Sequence, residues 1–259
     1  VRVSLSNTPL QRLPATLGAI ATLEDVAVDG NSTTLLSPPV EVVAAGNAAV
    51  LSYLRRAYSA VIHRQLDLGG FGLTQFPLLA LSTPTTLTAL ALNDNQLQEV
   101  PEALASITGL VMLSLANNRI MALPPRTFLA MPQLKSLNVG GNPLVRLPIT
   151  LGALSQLEYL DFDASTALVS PPRDITVKSV VAVVTYLQRA WAGRRSGCLE
   201  LNGLSLSDLP LEIARCAVLQ RVNLSCNQLA TLGAGLCQLT RLVVLDVSSN
   251  QLQSLPSGL

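Results

Sequence analysis

Carboxylates gather at two places in this 259-residue chain: Glu24, Asp25, Asp29 and Asp67 in one, Glu158, Asp161, Asp163 and Glu200 in the other. Paired carboxylates are the groups that general acid–base catalysis uses, one giving and one taking a proton. No nucleophile, histidine or pocket-forming insertion stands with either group, so the expectation is that the chain is not an enzyme. Two readings remain for these acids: a docking patch for a basic segment of a protein partner, or an ordinary solvated strand face, since exposed charge is the default. Cys198, Cys216, Cys226 and Cys237 all fall in the last quarter, without Cys-x-x-Cys pairs and far from the single histidine, His63. That spacing does not make a zinc site; it suits free thiols in a reducing compartment, hence a cytoplasmic protein, the cytoskeleton or a cilium being alternative settings open to a structural subunit. Neither metal nor cofactor is expected.

The remaining bulk properties narrow the partners. Net charge is +1 and aromatics make up 3%, which provides neither the basic field nor the stacking platform that nucleic acid requires. The densest apolar stretch, Val180 to Val184, is far short of the 18 or so residues needed to span a bilayer, so no membrane insertion is expected. No small-molecule substrate is indicated, and the partners expected are proteins.

The elements that would position such groups repeat. One stretch reads Leu87, Leu90, Leu92, Asn95, Leu97, Val100-Pro101, Leu104 and Ile107; the next has Leu110, Leu113, Leu115, Asn118, Ile120, Leu123-Pro124 and Phe128; the next Leu134, Leu137, Val139, Asn142, Leu144, Leu147-Pro148 and Leu151. The beat is 23 to 24 residues, and periods in this range build solenoids. The Leu-x-Leu step alternates in and out as a short strand must, and the asparagine after it can satisfy backbone groups left bare at a corner. Ten such units can be counted, with inward pairs running from Val3/Leu5 through Leu90/Leu92 to Leu245/Val247. A lone unit buries too little to offset the entropy of ordering it, so the units must stack. The outward polar residues between and just beyond each inward pair would line the concave face: Asp29, Asp67, Asn93, Asn138, Asp161, Asp163, Glu200, Asn202, Asn223 and Asp246 are the candidate protein-binding residues.

Two units are longer than the rest. Ser37-Pro38-Pro39-Val40-Glu41-Val42 returns 133 residues later as Ser170-Pro171-Pro172-Arg173-Asp174-Ile175, and Tyr53-Leu54-Arg55-Arg56 returns as Tyr186-Leu187-Gln188-Arg189. Pro14 to Ala19 likewise matches Pro148 to Ala153. A tandem duplication with a period of about 133 residues accounts for all three matches. Each insert is expected to be one amphipathic helix, about 39–58 and about 172–191, with Val42, Val50, Leu51 and Leu54 on one stripe and Ile175, Val183, Val184 and Leu187 on the other. The asparagine ladder lapses after each insert, where Phe71 and Leu204 stand instead, so an apolar group replaces the amide there.

The short units resemble the intracellular leucine-rich repeats of the Ras-group-related type, with Leu-Pro-x-x-Leu-x-x-Leu in most of them. The inserts resemble a motif shared by several of those proteins and by the Roco family: Pro39, Glu41, Val42, Gly46, Ala49, Val50, Tyr53, Leu54 and Arg55 in the first insert. The second, Pro172, Asp174, Ile175, Ser179, Ala182, Val183, Tyr186, Leu187 and Gln188, departs at the glycine and the arginine. The resemblance implies an α/β leucine-rich-repeat solenoid over residues 1–259, with a curved parallel sheet on its concave face and two inserted helices, and an intracellular scaffold that binds proteins. No phosphate-binding Gly-x-x-x-x-Gly-Lys-Ser/Thr loop occurs, so no GTPase is implied by this segment. Charged residues are only 13%, against about 25% in ordinary soluble chains. Neither end has a polar capping unit. Both facts fit a piece of a longer chain, and they keep two alternatives open: a structural subunit of a large assembly, or the repeat portion of a Roco-like signalling protein.

Overall fold

The computed structural model describes residues 1–28, 35–77, 86–164, 168–214 and 216–256. Ten three-residue strands are seen among them: β1 (Arg2–Ser4), β2 (Asp25–Ala27), β3 (Gln65–Asp67), β4 (Ala89–Ala91), β5 (Met112–Ser114), β6 (Ser136–Asn138), β7 (Tyr159–Asp161), β8 (Cys198–Glu200), β9 (Arg221–Asn223) and β10 (Val244–Asp246). The central residue of each is the expected first inward position, and the flanking two face outward. All pairs are parallel with centre opposite centre, as in Leu66↔Leu90, Leu90↔Leu113, Leu113↔Leu137 and Leu137↔Leu160. The expected single run of ten strands is instead three sheets, β1–β2, β3 to β7, and β8 to β10. The first break has a visible cause, because the insert separates Ala27 from Gln65.

The chain forms two compact units. The first comprises Val1–Pro143 with Gln156–Asp163, and the second Leu144–Ser155 with Ala164–Leu259. In the first, the inward leucines of β3 to β7 are sealed from water, and Leu68, Leu92, Leu110 and Leu115 are fully buried. A ladder of buried asparagines closes the strand exits. Asn95 Oδ1 accepts the Leu73 N–H at 2.9 Å while its Nδ2 donates to the Leu68 and Leu92 carbonyls, both at 2.9 Å. Asn118 and Asn142 repeat the pattern, and Asn227 and Asn250 do so in the second unit. Where the ladder lapses, Phe71 does pack as an apolar plug: its ring meets Tyr53 edge-on at 5.9 Å, and the Arg56 guanidinium sits 5.0 Å over it.

Each insert is two helices rather than one. In the first unit α1 (Val40–Ala44) and α2 (Asn47–His63) are split at Ala45-Gly46, and α3 (Pro125–Leu129) is a short turn further on. In the second, α4 (Arg173–Thr176) precedes α5 (Val180–Ser196), followed by α6 (Leu211–Ala214). The long helices therefore begin later and run five residues past the expected ends at 58 and 191. The two starts use different chemistry, which explains the departure at the motif glycine. Gly46 adopts φ 96°, a conformation that only glycine takes cheaply, whereas Ser179 stays extended and caps α5 by accepting the Ala182 N–H at 3.1 Å. Left-handed Arg64 and Gly197 end the two helices.

The matching turns Ala15–Ala19 and Ile149–Ala153 are where the long helices dock. A Cβ on Gly18 would lie 2.8 Å from Arg55 Cα and closer still to the Leu54 carbonyl; one on Gly152 would lie 2.7 Å from the Gln188 nitrogen and closer still to the Leu187 carbonyl. Helix backbone therefore rests directly on turn backbone, and only glycine permits it.

Candidate protein-binding site

The outward positions of β3 to β7 form the broadest strand face in the first unit. Asp67 accepts the Gly69 N–H at 2.9 Å and pairs with Arg56 at 3.4 Å, an exposed pair of small energetic weight. Asn138 Oδ1 accepts the Gly140 N–H at 3.0 Å, and Asp163 accepts the Gly141 N–H at 2.6 Å. Asn93 donates to Asp94 at 2.6 Å, and Asn117 reaches the same carboxylate at 2.8 Å; these two bonds hold Asp94 below the usual carboxylate range. Asp161 leans toward Gly140, and its carboxylate makes no hydrogen bond or ion pair among the described residues. Asp29 lies outside the described residues. In the second unit Glu200 accepts from Asn223 at 2.8 Å, Asp246 accepts the Ser248 N–H at 2.9 Å, and the Asn202 carbonyl takes an Arg189 hydrogen bond at 3.1 Å. The proposed acids and amides thus serve largely as local braces of their own turns.

The structure adds a column that the sequence reading passed over, the residue before each inward one: Gln65, Ala89, Met112, Ser136 and Tyr159. Met112 and Tyr159 are 54% and 52% exposed, unusual for side chains of their size on an ordered sheet. With Ala89, Ala91, Ser114 and Ser136 as a low floor between them, they line a groove of about 400 Å³ across β3 to β7. The periodicity could have disclosed this column, because its side chains share the outward face with the next column by strand alternation.

A second cavity, about 230 Å³, lies in the second unit beside Tyr186, Leu199, Leu201 and Ile213, with Arg146 and Arg194 among its lining. Glu212 anchors its wall, accepting hydrogen bonds from Ser170 Oγ and from Tyr186 Oη, the latter at 2.8 Å. Burial pushes the Tyr186 phenol far above its ordinary value and the adjacent Glu212 charge adds to the effect; burial also raises Tyr53. A phenol kept neutral in the fold but free to ionise once unfolded stabilises fully below about pH 10, and its contribution falls as pH climbs past that. The urea midpoint is expected to drop above about pH 10, and Tyr186→Phe is expected to flatten that alkaline limb. Midpoints measured from about pH 8 to 11.5 check this, and an unchanged slope in the variant would rule out the buried phenol as its source.

One short parallel strand per turn, inward leucines and an asparagine ladder define a leucine-rich-repeat protein, an α/β repeat fold whose members mostly bind other proteins. Residues 108–165 match the family model described as leucine rich repeat, and the chain is a leucine-rich-repeat protein. The mouse (Mus musculus) protein "Transforming growth factor beta activator LRRC32" is 30% identical over 183 residues, 67% of this chain and 25% of that relative, so the chain spans about a quarter of its length. A solved leucine-rich-repeat protein of Leptospira interrogans, LIC12759, aligns over 96% of this chain and 66% of its own, at 21% identity and a TM-score of 0.31. No helix among the described residues is long and apolar enough to cross a membrane, and no cluster of His, Cys, Asp and Glu there could hold a metal ion.

Proposed function

We propose that the chain is a non-catalytic platform that binds a protein partner on the β3 to β7 face. The observation that carries this is the groove with half-exposed Met112 and Tyr159 at its rim, the residue types that dominate interface energetics when they become buried. The four cysteines are all free thiols, which supports a cytoplasmic setting. The Leu-Pro units and the paired inserts support the Ras-group-related, Roco-like subtype, and their element-by-element match supports descent by tandem duplication. A second reading, a structural subunit of a large assembly, is supported by apolar side chains exposed on the inserts, Val61 and Ile62 on α2 and Val177 and Val181 on the second insert.

Cross-linking in native extract separates the two. Lysines number only two (Lys135 and Lys178), so a carboxylate-directed or photoreactive linker is required. Links to one partner are expected near Met112, Tyr159 and Asp161, and the double variant Met112→Asp/Tyr159→Asp is expected to lower partner recovery at least about tenfold. Links to several neighbours concentrated on Val61, Ile62 and Val181 would overturn the platform and favour the subunit.

A further inference from the structure

Across the five-stranded sheet, large and small side chains alternate from strand to strand: Gln65, Ala89, Met112, Ser136, Tyr159. Two hollows result, one over Ala89 between Gln65 and Met112, one over Ser136 between Met112 and Tyr159. They are two strands apart, which at the usual strand spacing is about 9.6 Å. A segment lying across the strands can fill both only if its own same-face side chains recur at that distance. An extended strand presents them about every 6.7 Å. An α-helix does so at about 5 to 6 Å or, seven residues on, about 10.5 Å. A polyproline-II segment, with three residues per turn and a rise of about 3.1 Å, presents them every 9.3 Å or so.

Charge gives the segment a sign. None of the residues lining the groove is basic. Asp67 at one end is already paired with Arg56, and Lys135 nearby is engaged with Glu158 at 3.7 Å. At the other end Asp161, on the same strand as Tyr159, makes no hydrogen bond or ion pair among the described residues, and Asp163 lies two residues on. A cation beside Tyr159 would meet the Asp161 carboxylate, with that of Asp163 two residues on and no basic side chain in the groove's lining, and could stack on the phenol face.

We infer that the groove takes a polyproline-II segment of a partner protein with apolar side chains at i and i+3, seated over Ala89 and Ser136, and a lysine or arginine beyond the second, held by Asp161 and Asp163. This rests on the platform reading and specifies its partner.

The test is selection of phage displaying random twelve-residue peptides against the whole chain, with the Met112→Asp/Tyr159→Asp variant as counter-target. Peptides enriched on the native chain alone are expected to show the i, i+3 apolar spacing with proline between and a basic residue at one end. The best synthetic peptide should bind about fivefold more weakly to Asp161→Asn/Asp163→Asn, and more weakly as salt rises. Both aspartates are exposed or half-buried on the strand face and the asparagines keep the acceptor oxygens, so that variant retains the fold. Enriched peptides with helical i, i+4, i+7 spacing, or without basic residues, would overturn the inference and leave the platform standing. No enrichment over the counter-target would overturn both.

Discussion

Gly152→Ala is expected to cost about 3 to 5 kcal/mol and to release α5 from the turn it rests on. An added methyl in a tight core usually costs about 1 to 3 kcal/mol, because flexible side chains give way. Here the obstruction is the Leu187 carbonyl and the Gln188 nitrogen, main-chain atoms in mid-helix that cannot rotate aside. The helix must move as a body and expose Val183, Tyr186 and Leu187, all now buried. Trp191, the chain's single tryptophan, lies on α5 and reports the movement by fluorescence. Urea unfolding of the variant should show the tryptophan signal changing before the bulk helical signal. Gly233→Ala is the matched control: its Cβ would meet nothing within 4 Å, at φ −62°, so it should be neutral or stabilising by up to about 1 kcal/mol. Equal stability of the two variants would show that the close approach at Gly152 does not hold the helix.

Asn118→Ala should cost nearly as much, for the opposite reason: it leaves space but strands polar groups. The amide accepts from the Leu97 N–H at 3.0 Å and donates to the Leu92 and Leu115 carbonyls, both at 2.9 Å. All three bonds are buried, and each main-chain group left without a partner costs about 1 to 3 kcal/mol, so a total of about 3 to 5 kcal/mol is expected once relaxation is allowed for. Asn250→Ala, at a rung that is only partly buried, should cost less than half as much. Denaturant midpoints measure both, and hydrogen exchange at the Leu97 amide should accelerate in Asn118→Ala. If the two substitutions cost the same, burial is not what gives the ladder its weight.

Much of the fold was legible because the repeat writes it many times over. The Leu-x-Leu step placed the centre of every strand, and the lapse in the asparagine ladder at Phe71 announced the apolar plug found against Tyr53. The matching Thr-Leu-Gly-Ala runs were visible too, but not their purpose. A glycine that admits a carbonyl from a helix 36 residues later leaves no local trace, and the same holds for Glu212, which joins Ser170 and Tyr186 across 42 and 26 residues. The break between α1 and α2 was within reach, since Gly46 and Ser179 are a helix breaker and a helix cap at matching places. Met112 and Tyr159 stand out only beside their neighbours, because the groove is made by large side chains next to small ones rather than by polar residues.

The ladder and the docking glycines also bear on how such a chain can change over generations. Each ladder asparagine bonds only to its own turn and the one before it, as Asn118 does with Leu115 and Leu92. An ordinary turn can therefore be gained or lost through unequal recombination with a single rung remade and no distant contact to mend. A lengthened turn cannot be traded so freely. The helix that follows Ala27 rests on Gly18, which belongs to the turn before it, so a crossover between the two would strand the helix without its seat. The smallest heritable block there is a pair of turns, and lineages built from this part should gain and shed their long helices in pairs of turns while ordinary turns come and go singly.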